Sequence, residues 1–484
     1  MTHPFDERRR WLALYVLCLG VLMIVLDTTI VNVALPSIRE DLKFTETSLV
    51  WVVNAYMLTF GGFLLLGGRL GDLYGHRRLF LAGLVLFTTA SLACGLSTTQ
   101  VTLIVARAVQ GVGGAVVTAV ALSLIMDLFP QEADRAKAMA IYGFVCSGGG
   151  ALGALLGGVL TNALNWHWIF LVNIPIGIAV YWLCLRMIPA DHVDAGETRL
   201  DLAGALTVTM SLMLAVYAVV NGNEAGWTSM QTVTLSGAAL LLLALFLAIE
   251  ARVDHPLMPL GMFRRRNIVV ANIVGVLWAA GMFAWFFISA LYMQIVLGYD
   301  ALKVGLAFVP ADLVMAAFSV SWSAKIVTRY GIRAPMAIGL LLAAAGLALF
   351  ARAPVSGSFL IDVLPGMILL GLGAGVAFNP VLLAAMSDVT PEDSGLASGI
   401  VNTSFMMGGA LGLAVLASVA AARTGAATVA GADSAVALTA GYHMAFALAA
   451  AFVTAAAIIG AVLLRTRIPE RGDEVPAVPE PCST

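Results

Sequence analysis

Two ionisable residues interrupt stretches that are otherwise apolar. Asp27 stands in Leu26-Asp27-Thr28-Thr29-Ile30-Val31-Asn32, and Arg107 opens Arg107-Ala108-Val109-Gln110-Gly111. If these stretches cross a bilayer, a charge at the centre costs at least about 2.5–3.5 kcal/mol on insertion scales, so each ion needs a reason to be there. Gln110 follows Arg107 by three residues, which places both on one helix face. Asp27, Asn32, Arg107 and Gln110 are expected to form one buried polar network. Two readings stay open: a static ion pair, or a site that takes up and releases protons. Burial penalises an ionised carboxyl and a neighbouring guanidinium favours it, so the balance shifts as the site opens to either side. The guanidinium stays charged, which makes Arg107 the modulator. Asp312, in Val309-Pro310-Ala311-Asp312, is a second acid at such depth. Pro310 loosens the backbone beside it, and a coupling or substrate role stands against that of a polar residue at a cavity mouth. Glu224 is expected in a solvated outer loop.

The elements that must position these residues follow from composition. Of 484 residues, 61% are hydrophobic and 11% charged, with a mean hydropathy of +0.96. Soluble domains carry about 25% charged residues, so a water-soluble enzyme is excluded. A bilayer core of about 30 Å takes roughly 20 apolar residues per helix. That ruler predicts fourteen spans near 11–33, 48–68, 79–97, 101–125, 138–162, 168–188, 202–221, 231–250, 267–297, 304–323, 335–352, 359–385, 396–419 and 441–464. The first run is too long for a cleaved signal and lacks a small-residue cleavage site. Fourteen crossings put both termini on one side, and 20 of the 26 Lys+Arg residues fall on that side against 5 opposite. By the positive-inside rule both termini are cytoplasmic.

Other chemistries find little support. A net charge of −2 gives no basic field for nucleic acid. None of the lysines (Lys43, Lys137, Lys303, Lys325) follows a glycine, so no P-loop for ATP is present. Cys18, Cys94, Cys146, Cys184 and Cys482 are scattered, as small hydrophobes are, and no structural bridge is expected. The six histidines lack metal-ligand spacing, and neither His-Glu-x-x-His nor Gly-x-Ser-x-Gly occurs. No metal, cofactor or enzymatic activity is expected.

Gly68-Arg69-Leu70-Gly71-Asp72-Leu73-Tyr74-Gly75-His76-Arg77-Arg78 lies between the second and third spans. Its glycines permit tight turns, and Asp72 can bond the loop arginines or a helix N-terminus. The stretch resembles the signature loop of the major facilitator superfamily. Leu26 to Pro36, Arg107 to Gly114, and Trp168-Ile169-Phe170-Leu171-Val172-Asn173-Ile174-Pro175 resemble motifs of its fourteen-helix drug:proton antiporter branch, of EmrB/QacA type. The resemblance implies an all-α integral membrane fold of two six-helix bundles with two inserted helices. The expected divisions are a cytoplasmic N-terminus (1–10), an N-terminal bundle (11–188), inserted helices with flanking loops (189–266), a C-terminal bundle (267–465) and a disordered tail (466–484). A degenerate second signature supports the repeat: Lys325, Arg329, Gly331 and Arg333 follow Arg69, Leu73, Gly75 and Arg77 by 256 residues. Such repeats place the substrate cavity between the halves near the midplane.

The fifth span carries Gly149, Gly153, Gly157 and Gly158, like the branch's antiporter signature, with Ala154 where the family usually has proline. Glycines four apart also let helix backbones approach closely. Asn402-Thr403-Ser404-Phe405-Met406 resembles a family stretch that usually holds an Arg-Gln pair where Phe405 and Met406 stand, so a polar lining contact has become apolar.

The expected function is export of hydrophobic or amphipathic small molecules, such as drugs and antibiotics, across a bacterial inner membrane by alternating access, driven by protons. Asp27 carries the proton, Asp312 is a second candidate, and Arg107 modulates. Asn32, Gln110, Trp278, Met282, Phe283, Asn379 and Met406 are the expected cavity lining. The loop of Gly68, Arg69, Asp72, Gly75 and Arg77 is a conformational latch. The expected partners are the substrate, protons and lipid, with neither nucleic acid nor ATP. Two rivals share the scaffold: a proton-coupled uptake symporter, and a sensor or assembly protein that does not transport.

Overall fold

In hydrocarbon every backbone N–H and C=O must be paired within the chain, and long apolar segments therefore wind into helices. The computed structural model describes residues 7–129, 131–188, 201–253, 256, 258–386 and 394–464, without a strand among them. Fourteen of its helices are long and apolar enough to cross a membrane: α1 (Glu7–Leu42), α2 (Thr47–Gly71), α3 (His76–Gly95), α4 (Gln100–Leu128), α5 (Lys137–Ala163), α6 (Trp168–Met187), α7 (Leu202–Gly222), α8 (Met230–Glu250), α9 (Arg266–Val296), α10 (Ala301–Ser319), α11 (Arg333–Phe350), α12 (Phe359–Ala385), α13 (Gly399–Val429) and α14 (Ser434–Leu463). The expected number of spans is borne out. The helices overrun the apolar runs, most of all α1, which carries Arg8–Arg10 and Arg39–Glu40 at its ends and stops where Lys43 takes a positive φ of 57°.

Local chemistry starts several helices. Thr45 and Ser48, and likewise Thr99 and Thr102, form reciprocal capping boxes ahead of α2 and α4, satisfying N–H groups that have no partner inside the helix. Asp300 caps α10 by accepting from the Lys303 N–H at 2.8 Å. That bond, more than the nearby Lys303 ammonium, holds its carboxyl below the usual range.

The packing divides into two six-helix halves. In the first, α1 packs on α4, α5 and α6, and α4 on α2 and α3; in the second, α9 packs on α13 and α14, α10 on α12, and α11 on α12 and α14. The halves meet where α5 lies on α10, α2 on α13, and α1 on α9. The two extra helices sit outside, α7 against α2 and α13, and α8 against α7. The repeat is visible in the backbone: Gly75 and Gly331 both turn with positive φ, 94° and 74°, a conformation that glycine reaches without steric cost. A short helix, Ser323–Tyr330, leads into the second of these turns. The expected tail 466–484 and most of the loop between α6 and α7 lie outside the described residues.

The fifth-span glycines serve two faces. A methyl on Gly149 would meet Val25 at 2.8 Å, one on Gly157 the Ile30 carbonyl oxygen at 2.7 Å, and one on Gly153 would run into Thr29 Oγ1. These three face α1 within the first half. Gly158 instead faces α10 across the halves, where a methyl would stand 2.7 Å from the Ala301 carbonyl oxygen, and Gly305 answers from α10 against Ala154.

Candidate functional site

Asp27 and Arg107 meet. Their side chains are 0% and 1% exposed, and Arg107 Nη1 donates to Asp27 Oδ2 at 2.5 Å. The same nitrogen donates to Gln110 Oε1 at 2.8 Å, as the shared helix face requires. Gln110 Nε2 and Asn173 Nδ2 both donate to Asp27 Oδ1, at 2.8 and 3.0 Å. Ser91 Oγ accepts from both amides, at 3.1 and 2.9 Å, and donates to the Phe170 carbonyl at 3.0 Å. Cys94 Sγ lies 3.6 Å from Gln110 Oε1. Arg107 Nε donates to the Val52 carbonyl of α2 at 3.0 Å, and the guanidinium carbon sits 4.3 Å from the Tyr56 ring centroid and 5.6 Å from that of Phe170. Glycine makes room here as well: a methyl on Gly111 would meet the Tyr56 carbonyl and Thr59 Oγ1 on α2.

This arrangement offers the carboxylate donors on both oxygens and gives the guanidinium a carboxylate, an amide, a carbonyl and aromatic faces. A buried ion pair persists only when its remaining hydrogen-bonding groups are also satisfied. Asn32 does not join the network. Its Nδ2 donates one turn back to the Thr28 carbonyl at 3.2 Å, and five residues at 100° each carry it about 140° around the helix from Asp27. Asn173, Ser91, Cys94 and Tyr56 join the site without belonging to the set expected from the sequence. Asn173, a lone amide two residues before Pro175 in an apolar run, carried the one usable signal; hydroxyls and a thiol in such runs are too common to stand out. Replacing Asn173 with alanine removes one donor to Asp27 and is expected to cost about 1–3 kcal/mol, measurable as a lower unfolding midpoint in detergent, with Asp27–Arg107 still paired.

Asp312 is 2% exposed on the other half, and its Oδ2 has no hydrogen-bond partner among the described residues. A methyl on Gly150 of α5 would lie 4.0 Å from both Asp312 Oδ1 and the Thr29 methyl of α1. The second acid thus stands at the seam between halves, two residues along α1 from the level of Asp27. The other expected lining residues scatter. Trp278 packs edge-on against Phe405 and Phe378, ring centroids 5.5 and 6.0 Å apart, and Phe283 against Phe405 at 5.9 Å. Met282 is buried on the same helix, and Met406 faces Gly61 of α2 across the halves. Asn379 donates to the Ser319 carbonyl at 3.3 Å, within its own half.

In the signature loop, Gly75 N–H bonds the Gly71 carbonyl at 2.9 Å. His76 Nδ1 is 2.9 Å from Asp127 Oδ2, and Arg77 Nη2 donates to the Leu185 carbonyl at 2.7 Å. Gly68 faces open space and Arg69 is exposed. The Asp72 side chain lies outside the described residues, as does that of Lys325 in the second copy.

Two packed halves of six helices, one enclosing a buried ion pair and the other carrying a buried acid at the seam, define a polytopic membrane protein. Residues 17–413 match the Major Facilitator Superfamily, and the chain belongs to it. It is 39% identical over 422 residues to a puromycin resistance protein of Streptomyces alboniger, covering 87% of this chain and 84% of that protein. It is 40% identical over 416 residues to a cephamycin export protein of Amycolatopsis lactamdurans, covering 85% of each, and 36% identical over 431 residues to a lincomycin resistance protein of Streptomyces lincolnensis, covering 86% and 87%. Among solved structures it resembles a bacterial homologue of the lysosomal transporter Spinster, inward-facing and unoccupied, with a TM-score of 0.65 at 15% identity over 95% of this chain and 98% of that one.

Proposed function

We propose that this protein exports hydrophobic or amphipathic small molecules, antibiotics among them, across a bacterial inner membrane in exchange for protons moving inward. The observation that carries the reading is the pair of lipid-depth acids on opposite halves: Asp27 fully paired, and Asp312 with an unpartnered oxygen at the seam. An unpaired charge at that depth is the expensive one, and a proton or a cationic substrate relieves it. The export direction is supported by the names of the relatives, which speak of resistance and export. We place the divisions of the chain at 11–188, 189–266 and 267–465, and both termini in the cytoplasm by the Lys+Arg bias. With that orientation the outer end of the seam is closed: Gln294 Nε2 of α9 donates to the Val33 carbonyl of α1 at 2.8 Å, and Gly158 abuts Ala301. In our reading the cavity is reached from the inner side in this conformation, and rocking the halves about the seam carries it outward. One proton at about 150 mV supplies roughly 3.5 kcal/mol, enough for a solute gradient on the order of a few hundred fold.

The test uses inverted membrane vesicles energised by respiration, with puromycin and lincomycin as probes. Accumulation that collapses on adding an uncoupler, and that Asp312→Asn reduces at least tenfold without loss of inserted protein, is expected. Accumulation indifferent to the uncoupler overturns the coupling, and accumulation in the opposite sense favours uptake.

A further inference from the structure

Helix α9 has a gap in its wall. Gly275 is buried, yet a methyl placed on it would meet nothing within 4 Å, where protein interiors are ordinarily packed to the density of organic crystals. Three residues before it on the helix stands Asn272, 6% exposed; its Nδ2 donates to the Ile268 carbonyl at 2.8 Å and its Oδ1 has no partner among the described residues. Three residues after it stands Trp278, 2% exposed, whose indole N–H likewise has no partner among the described residues. Buried polar groups are nearly always hydrogen-bonded. Two exceptions one turn either side of an open position, one an acceptor and one a donor, point to a ligand that supplies the complementary pair.

Resting on the export reading above, we propose that Asn272, Gly275 and Trp278 form a subsite for an uncharged carboxamide on the transported molecule. Its carbonyl accepts from Trp278 Nε1 and its N–H donates to Asn272 Oδ1. At 100° per residue Asn272 and Trp278 stand about 60° to either side of Gly275 on the helix, so an amide lying across the gap presents its N–H toward one flank and its carbonyl toward the other. The rings of Phe405 and Phe378, T-packed on Trp278, form the apolar wall for the rest of the molecule. Phe378 is 47% exposed, so this wall continues to open space. Asn272 Oδ1 and Trp278 Nε1 are both covered in the observed conformation, so the ligand enters only when neighbouring side chains shift.

The experiment measures equilibrium binding of N-benzylbenzamide and its ester isostere benzyl benzoate to the purified full-length chain, through displacement of the unfolding midpoint. Because it needs no proton gradient, its failure leaves the export reading standing, and failure of coupling leaves the subsite standing. The amide is expected to bind roughly tenfold more tightly than the ester. Asn272→Leu abolishes that preference, since the ester lacks the N–H, whereas Trp278→Phe weakens both probes about tenfold. Gly275→Ala fills the gap, raises the midpoint of the free protein as a helical glycine replacement should, and still weakens both probes. Equal binding of amide and ester to the parent chain overturns the proposal, as does a Gly275→Ala chain that binds both unchanged.

Discussion

Arg107→Ala is expected to abolish uncoupler-sensitive efflux and to lower the yield of folded protein sharply. Removing the guanidinium leaves the Asp27 carboxylate, 0% exposed, with only the Gln110 and Asn173 amides. Breaking a buried pair from one side costs about 3–5 kcal/mol, because an uncompensated charge stays behind. In the folded-to-unfolded ratio this is roughly two to four powers of ten. The double replacement Asp27→Asn with Arg107→Gln removes both charges and keeps neutral groups able to bond Gln110, Asn173 and Ser91. Its folded yield is expected to recover most of the way, while efflux stays absent. Yield is read by detergent-solubilised monodisperse protein and efflux by puromycin accumulation in inverted vesicles. If the neutral pair transports as well as the parent, the ion pair is structural and the coupling role falls to Asp312 alone.

The second large effect is expected at Gly158. Its missing side chain brings α5 against the backbone of α10, where a methyl would lie 2.7 Å from the Ala301 carbonyl oxygen and 3.0 Å from Leu302 Cα. Backbone atoms cannot yield as a flexible side chain does, so Gly158→Leu must push the halves apart at the end of the seam that also holds the Gln294–Val33 bond. Overpacking typically costs about 1–3 kcal/mol. Here the cost falls on one conformation, the one with this end closed, and transport is expected to drop at least tenfold while the folded yield changes little. Gly153→Leu, by contrast, strikes Leu26 and Thr29 of α1 inside the first half and is expected to reduce yield as well as transport. Gly143→Leu, on the same helix but facing nothing within 4 Å, is the control and should leave both near the parent level. Equal loss from Gly158→Leu and Gly143→Leu would show that bulk on α5, not closure of the seam, is what matters.

The number of spans, their approximate limits, the depth of Asp27 and Arg107, and the shared face of Arg107 and Gln110 were all present in the order of residues. These are local quantities. Apolar length follows from the need to pair every backbone group inside hydrocarbon, and helical spacing fixes which side chains of one helix lie together. The positive-φ glycines of the two signature turns, Gly75 and Gly331, were likewise foreshadowed by a 256-residue repeat. The exclusion of Asn32 was legible too, since a five-residue step turns it away from Asp27 on any α-helix.

What the chain order could not reveal is which faces of different helices meet. That choice brought Asn173 and Ser91 to Asp27, left an oxygen of Asp312 without a partner opposite Gly150, and divided the glycines of α5 between α1 and α10. Rotation and depth of each helix are settled by close packing against several neighbours at once, with sub-ångström tolerances set by side chains hundreds of residues apart. Hydropathy, which treats one lipid-buried residue much like another, carries no record of that fit.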